Sequence, residues 1–306
     1  MLKRNLPEVK KSRQAAGEED SYGREVRQVL GITLALNLVV VAGKLVAGLR
    51  AGSLSVISDA LHSSADSLNN LVGLVIIRLA RAAPDEEHPY GHHKFETVAT
   101  FAIAGFLLVT AFEVAVGAAK RLLGWSSSEV EVTSLTVGVM VATVAVNIFV
   151  WTYESRRGKA LNSSFLIADS KHTLSDIFVS LSILVGLVLV RQGMTQVDPI
   201  LAFFVAGIIT YAAYQIFAST IPVLVDSAPL SSEYIAKIVR QTPGVESVHE
   251  IRSRGVPGRI FISMHLVVTP TNTFEAHAVT EEVERRLAEK VGPCSVTIHV
   301  EPDETY

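Results

Sequence analysis

Two segments of the chain, residues 59–66 and 169–176, share the order Asp-x-x-His-x-x-x-Asp. On a helix, the histidine and the second aspartate of each copy are four residues apart and therefore share one face. Two such helices side by side present two imidazoles and two carboxylates, a tetrahedral set that suits a divalent transition metal, zinc first. The expected ligands are His62, Asp66, His172 and Asp176.

Both copies lie in segments apolar enough to cross a bilayer, and their depths agree. Asp66 and Asp176 each stand about twelve residues into their segment, which at ~1.5 Å per residue is ~18 Å, close to mid-membrane. A charged residue there costs roughly 2.5–3.5 kcal/mol, and helix packing alone rarely requires two of them. The ligand interpretation is therefore favoured over packing. For Asp59 and Asp169 two interpretations fit equally: orienting an imidazole, or marking a helix end near water.

A third copy of the spacing lies in a polar stretch between the second and third apolar segments, where Asp85 and His88 are followed by His92. Pro89 and Gly91 exclude a regular helix, so a turn must bring these side chains together. The three residues are a candidate second metal site at the cytoplasmic face. The alternative is an ordinary hydrophilic loop.

The final part of the chain, residues 227–306, holds four further histidines and no spanning segment. A lone histidine is more often structural than ligating, but four in one small domain favour a metal site. Residues two apart on a strand share a face, so positions 299 and 301 converge. The candidate ligands are His249, His265, His277, His299 and Glu301.

Six apolar segments are long enough to cross a ~30 Å hydrocarbon core, which takes about 20 helical residues. They lie near residues 27–49, 54–80, 96–123, 132–155, 164–190 and 198–223. The second and fifth are interrupted by polar residues and are the weakest by hydropathy. We expect an all-α, six-helix transmembrane domain over residues 24–226. It follows a polar N-terminal tail, residues 1–23, that lacks the apolar stretch of a signal peptide.

Positive charges near the helix ends predict the orientation. Thirteen Lys and Arg residues fall in the N-terminal tail and in the loops after the second and fourth helices, against four on the other side. Both termini are therefore expected in the cytoplasm. The lack of a His-rich loop between the fourth and fifth helices favours a bacterial inner (plasma) membrane.

Composition excludes several other classes of protein. Of the 306 residues, 49% are hydrophobic and only 19% charged, against about 25% charged in a soluble domain. One cysteine, Cys294, excludes an intrachain disulfide. A net charge of −3 argues against nucleic acid as a partner.

The C-terminal residues 227–306 have the pattern of a small cytoplasmic α+β domain. Apolar alternation and Pro-Gly pairs predict the order αββαβ, with a hairpin turn at Pro257-Gly258, typical of a ferredoxin-like (metallochaperone-like) fold. The predicted elements are helix 231–242, strand 245–253, strand 259–268, helix 274–290 and strand 295–301. A domain of about 80 residues is small for a stable core, so dimerisation or metal binding is expected to contribute stability.

From about residue 24 onwards the chain resembles the cation diffusion facilitator family of divalent-metal/proton antiporters. The resemblance rests on the paired His-x-x-x-Asp motifs, the His-Pro-Tyr-Gly-His stretch that continues to Glu96, and the histidine-bearing αββαβ tail. It implies an intramembrane transport site, formed by His62, Asp66, His172 and Asp176, and a cytoplasmic loop site, formed by Asp85, His88 and His92.

The resemblance also implies a homodimer joined through its C-terminal domains. A binuclear site between the two domains would use His249, His265, His277, His299 and Glu301. A Lys94–Asp226 charge pair would tie the dimer at the membrane surface. The chain departs from the better-known bacterial iron/zinc pumps at Glu301 and His62, where those proteins carry Asp; the two-His, two-Asp site is similar to that of zinc-preferring members.

The expected function is export of Zn²⁺ from the cytoplasm in exchange for protons, by alternating access of one site in the lipid bilayer. Metal ligands must be deprotonated, and the ordinary pKa of imidazole, about 6.5, lets a proton replace a metal near neutral pH. The tail is expected to sense metal. Alternatives are export of Fe²⁺, Co²⁺, Ni²⁺ or Mn²⁺ by the same fold, or a non-transporting membrane metal sensor or scaffold. No His-Glu-x-x-His string is present, so an intramembrane metallohydrolase is disfavoured and no enzyme activity is expected.

Overall fold

A computed structural model describes residues 7–51, 54–125, 134–191, 197–256, 259–269 and 272–302. The chain divides into two compact units, Met1–Thr220 and Ile221–Tyr306. Each unit has an apolar core of its own.

Six long helices precede the C-terminal domain within these described ranges. They are α1 (Pro7–Ala51), α2 (Leu54–Ala80), α3 (Lys94–Leu122), α4 (Ser134–Leu161), α5 (Ser164–Arg191) and α6 (Val197–Leu224). α1 packs against α2 and α4, while α5 packs against α4 and α3. The predicted all-α transmembrane architecture is confirmed.

The start of α1 differs from the expected tail. The helix begins at Pro7, so residues 7–23 are helical as well. A proline suits the first helical position because its fixed φ matches the helix and the N–H it lacks would have no helical partner there.

Hydropathy identifies membrane-spanning stretches in four of the six helices, within the described residues. Among the described residues, four stretches are long and apolar enough to span a membrane: Ser21–Arg50, Lys94–Leu122, Val137–Leu161 and Pro199–Leu224. α2 and α5 carry the polar residues of the repeated motifs among their apolar residues.

Large apolar side chains remain exposed along the spanning helices. They include Val39, Leu49, Phe106, Phe112, Phe149 and Phe204. In water such a surface would drive aggregation, whereas a bilayer accommodates it, since lipid tails are as apolar as leucine. The chain is therefore a multi-pass membrane protein.

α2 and α5 meet at a glycine. A Cβ atom built on Gly73 would lie 2.5 Å from Cζ of Phe165 and 3.5 Å from Cδ1 of Leu30. Phe165 and Leu30 are both buried in the core of the first unit, so neither has free space to move into. The absence of a side chain at position 73 thus lets α2 approach α5 and α1 closely.

The C-terminal unit has the predicted αββαβ order. Its elements are α7 (Ser232–Val239), β1 (Val245–Val256), β2 (Arg259–Val268), α8 (Thr273–Val291) and β3 (Cys294–Pro302). The sheet order is β1-β2-β3, with β1 and β2 antiparallel and β2 and β3 parallel, so α8 forms the crossover. The expected hairpin turn at Pro257-Gly258 lies outside the described residues.

Caps and core contacts define this small unit. Oγ of Ser231 accepts a hydrogen bond from the backbone N–H of Tyr234 at the start of α7, and Oδ1 of Asn272 accepts one from Glu275 at the start of α8. Both helices cover one face of the sheet with an apolar core. Its fully buried members include Ile235, Val239, Leu266, Val283 and Leu287.

Substituting Gly73 with alanine is expected to destabilise the transmembrane unit. The added methyl group overlaps the buried Phe165 ring, and overpacking of this kind costs about 1–3 kcal/mol. The measurement is the midpoint of thermal unfolding of the detergent-solubilised protein. Gly105→Ala on α3 is the matched control, because a Cβ there meets nothing within 4 Å. Equal midpoints for Gly73→Ala and Gly105→Ala would contradict the close approach.

Candidate metal sites

α5 carries its motif residues facing the protein interior. Asp169 is 4% exposed and His172 is 8% exposed. Nε2 of His172 lies 3.9 Å from Oδ2 of Asp176, one helical turn further along. These two residues present an imidazole and a carboxylate on one face of the helix.

For α2 the structure describes the helical backbone that carries the first motif, while the side chains of Asp59, His62 and Asp66 lie outside the described residues. The positions of these three residues along the axis of α2, relative to the motif of α5, follow from the Gly73–Phe165 contact. Successive spanning helices alternate in direction, so α2 and α5 run antiparallel. Asp66 precedes Gly73 by two turns and His172 follows Phe165 by two turns, so both are about 10 Å from the contact on the same side.

A buried carboxylate of α4 joins the α5 motif. Glu154 is 1% exposed, its Oε2 accepts a hydrogen bond from Oγ1 of Thr173 at 3.2 Å, and its carboxyl group lies beside that of Asp169. Asp169 is thus buried against α4. This excludes the interpretation that Asp169 marks a helix end near water. Sequence reasoning missed Glu154, although an acidic residue inside an apolar segment is a signal in its own right.

The loop between α2 and α3 brings its three predicted residues together. Oδ1 of Asp85 lies 3.4 Å from Nδ1 of His88, and Oδ2 lies 3.3 Å from Nε2 of the buried His92. One ligand atom from each residue falls within 4.8 Å of the others. Phe95, in the first turn of α3, stacks on the His92 ring with a centroid distance of 5.7 Å. The geometry fits a three-ligand cation site with room for water.

A tight turn orients the loop carboxylate. The backbone N–H of His88 donates to Oδ1 of Asp85 at 2.6 Å, and this hydrogen bond is the main reason that the pKa of Asp85 lies below its ordinary value. Since the charged form is favoured in the fold, its contribution to the turn is present above the ordinary aspartate pKa. It is lost as the pH falls through the lowered value. The carboxylate is therefore ionised at any pH at which imidazole can bind a metal.

The strand register aligns three C-terminal histidines across the sheet. His249 on β1 is opposite His265 on β2, which is opposite His299 on β3. Glu301 contacts two of them: its Oε1 lies 2.9 Å from Nδ1 of His265, and its Oε2 lies 3.3 Å from Nε2 of His249. His299 is more distant, with Nε2 4.0 Å from Oε1 of Glu301. The hydrogen bond from His265, with the nearby imidazoles, lowers the pKa of Glu301.

A β-bulge adds a residue that sequence reasoning missed. The register shifts between His249 and Arg252, and Glu250 has a φ of 48°, in the left-handed region. On a regular strand Glu250 would face away from its neighbour His249. Instead its Oε2 lies 3.9 Å from Nε2 of His265. The bulge thus brings a second carboxylate to the histidine row.

His277 is separate from this cluster in the single chain. It is exposed on α8, where Nε2 lies 3.5 Å from Oε1 of Glu281. The dimer site implied by the resemblance requires a second copy of the chain, so the role of His277 stays a prediction.

The Lys94–Asp226 pair also stays a prediction, since its members belong to different compact units. Within the C-terminal unit, Oδ2 of Asp226 lies 3.7 Å from Nη1 of Arg254.

The fold is that of a multi-pass membrane protein with a C-terminal α+β domain, and comparison with known proteins supplies the family. Residues 30–225 match the family model of the cation efflux transmembrane domain, and residues 229–303 match that of the cation efflux protein cytoplasmic domain. The chain belongs to this cation efflux family, the cation diffusion facilitators.

Several relatives match over almost their full length. The transporter MJ0449 of Methanocaldococcus jannaschii is 33% identical over 282 residues, covering 91% of this chain and 99% of its own. The cation-efflux pump FieF of Shewanella oneidensis is 30% identical, covering 93% and 97%. The manganese efflux system protein MneS of Bacillus subtilis is 26% identical, covering 89% and 93%. Among solved structures, a MamM C-terminal domain is 27% identical, covering 23% of this chain and 92% of its own with a TM-score of 0.22.

Removing the central histidine of the C-terminal row is expected to weaken its metal binding. His265→Ala deletes the imidazole that contacts both neighbouring histidine rings and Glu301, so zinc affinity should fall about 100-fold or more. Isothermal titration of the full-length protein with Zn²⁺ measures this. Glu246→Gln, at an exposed carboxylate of β1 outside the candidate set, is the matched control and should leave the affinity of the His249–His265–Glu301 set intact. The same loss in both variants would contradict the geometry.

At the loop site, Asp85→Asn removes the negative charge of the side chain while keeping its size and its hydrogen-bond acceptor. Asparagine still accepts the hydrogen bond from the His88 N–H, so the turn should persist while zinc affinity falls about 10- to 100-fold. Competition with a fluorescent chelator on the purified protein measures the change. Glu86→Gln, a neighbouring exposed carboxylate, serves as the control. An unchanged affinity in Asp85→Asn would exclude Asp85 as a ligand.

Proposed function

We propose that the chain exports Zn²⁺ from the cytoplasm in exchange for protons, through one site formed by α2 and α5. The observation that carries this proposal is the burial of His172 beside Asp176, at the level at which α2 carries its own His-x-x-x-Asp motif. Two helices that contribute one imidazole and one carboxylate each provide four ligands of the type that zinc prefers.

Ligand chemistry supports zinc over the other candidate metals. Imidazole suits zinc, copper, iron and nickel, whereas manganese favours carboxylate, carbonyl and water oxygens. The names of the relatives include a manganese efflux protein, so the family itself does not single out one metal. The two-His, two-Asp set of His62, Asp66, His172 and Asp176 favours zinc, with Fe²⁺, Co²⁺ and Ni²⁺ next and Mn²⁺ last.

Proton exchange follows from the requirement that the ligands be deprotonated. Zinc binds the site from the cytoplasm when its imidazoles and carboxylates have lost their protons. When the site faces the other side, protons displace the metal and return inward with the site. Movement of α2 and α5 relative to the surrounding helices provides the alternating access.

The wider arrangement follows from the charge distribution and the cytoplasmic domain. We propose an inner-membrane protein with both termini in the cytoplasm, because thirteen positive residues lie on that side against four. Two copies would associate through their C-terminal domains, with the Lys94–Asp226 pair near the membrane surface. Zinc bound at the C-terminal row would stabilise the associated form and shift the population toward transport.

Asp176→Asn is expected to abolish zinc transport in proteoliposomes that contain a trapped zinc dye. The substitution keeps the size of the side chain but removes the charge that the metal site needs. Ser182→Ala is the matched control on the same helix, since its hydroxyl group hydrogen-bonds only to the carbonyl of Val179 among the described contacts. Zinc uptake by Asp176→Asn at the wild-type rate would overturn the proposed site.

A trapped pH dye in the same vesicles tests the antiport. Zinc entry should be accompanied by proton release from the lumen, and an opposing pH gradient should slow it. Zinc binding without flux of either ion would favour the metal-sensor alternative.

A further inference from the structure

Side chains from four parts of the transmembrane unit meet at Glu96, in the first turn of α3. Its Oε1 accepts hydrogen bonds from the hydroxyl of Tyr22 on α1 at 2.8 Å and from the hydroxyl of Ser163, in the α4–α5 turn, at 2.9 Å. Its Oε2 lies 3.8 Å from Nη2 of Arg81, just after α2. We call Tyr22, Arg81, Glu96 and Ser163 the Glu96 cluster. None of them is a candidate metal ligand.

The Glu96 cluster closes the base of the metal-binding loop. Arg81 and Glu96 stand immediately before and after the segment that contains Asp85, His88 and His92, so their ion pair joins its two ends. Arg81 is also fixed from the other side, with its guanidinium carbon 3.9 Å from the centre of the Tyr22 ring.

Contacts within the loop continue into the helix that carries Glu96. Phe95 packs against both loop histidines, with ring centroids 5.6 Å from His88 and 5.7 Å from His92. A cation that draws these two histidines toward Asp85 therefore also sets the position of the first turn of α3, and with it the Glu96 carboxylate.

On its other side the Glu96 cluster reaches the start of α5. The hydroxyl of Ser163 donates to Glu96 and accepts a hydrogen bond of 3.4 Å from the backbone N–H of Leu166, in the first turn of α5. Two turns further along the same helix stands His172. A shift of Ser163 is thus transmitted along a rigid helix to the motif of the intramembrane site.

We propose that Glu96 is a positioning residue that couples cation binding at the loop to the position of α5. The proposal rests on the proposed function for its consequence in transport, since α5 carries half of the intramembrane ligands. Glu96 itself contacts no metal. It acts as the mechanical link between the first turn of α3 and the turn that begins α5.

Hydrogen–deuterium exchange of the full-length protein tests the link without requiring transport. The parent variant is Asp176→Asn, so that zinc bound at the intramembrane site contributes little to protection of α5. Adding zinc to this parent should slow exchange of the backbone amides of residues 166–170 at least threefold. The effect should be lost in His88→Ala, which disables the loop site, and in Glu96→Gln, which removes the charge that pairs with Arg81.

The matched control is Ser182→Ala on α5, outside the Glu96 cluster, whose hydroxyl donates to the carbonyl of Val179; it should keep the protection. If gel filtration shows that Glu96→Gln folds poorly, Ser163→Ala replaces it, because this substitution removes the hydrogen bond between Glu96 and the start of α5. Zinc-dependent protection that persists in Glu96→Gln or Ser163→Ala, or that is absent from the parent, overturns the proposal.

A transport measurement separates this proposal from the proposed function. With the intramembrane site intact, His88→Ala should raise the KM for zinc about fivefold in proteoliposomes, and the same substitution should change KM less than twofold when Glu96→Gln is already present. An equal effect of His88→Ala in both backgrounds overturns the coupling while leaving transport established. An intact exchange result without any zinc transport overturns the proposed function and leaves the coupling standing.

Discussion

Ionisable side chains inside a bilayer are the constraint on which the transmembrane unit depends. A carboxylate at the membrane centre is tolerated only where the protein surrounds it or a ligand compensates it. α2 and α5 both carry ionisable residues within their repeated motifs. On α5 the protein buries Asp169 and His172, while large apolar side chains such as Phe112, Phe149 and Phe204 stay exposed on the other helices.

The close approach at Gly73 is a consequence of the same constraint. Ligands on two different helices converge only when the helices pack closely, and a glycine against a phenylalanine ring permits such packing two turns from Asp66 and His172. The buried Glu154 is a further polar group in the interior of the transmembrane unit. Its hydrogen bond to Thr173 and its position beside Asp169 join α4 to α5 one turn from the ligands.

The C-terminal unit also places histidines beside carboxylates, but on a β-sheet instead of on helices. A row of histidines across three strands needs only the correct register, which the apolar alternation of β1, β2 and β3 sets by burying one face of the sheet. The bulge at Glu250 adds a carboxylate to the row. Histidine–carboxylate clusters thus occur in the loop, in the sheet and on α5, and metal binding at any of them would require deprotonated side chains.

Much of this arrangement was predictable from the sequence, because spacing on a helix or strand determines which side chains share a face. The two motifs, the loop triad and the αββαβ order all follow from such spacing. Glu250 was not predicted as part of the histidine row because a bulge reverses the alternation of side chains along a strand, and bulges have no reliable sequence signature. The contacts of Glu154 and of the Glu96 cluster were not predicted because the partner residues are 15 to 74 positions away in the sequence. Only the packing of α1, α3, α4 and α5 brings them together in space.

The central claim is that α2 and α5 hold one metal ion between them inside the membrane. The most direct test is an anomalous difference map, recorded at the zinc edge from crystals of the zinc-loaded protein in lipid. The account predicts a peak two turns from the Gly73–Phe165 contact, bound by His62, Asp66, His172 and Asp176. Zinc peaks confined to the loop and the C-terminal row, in protein that transports zinc, would contradict it.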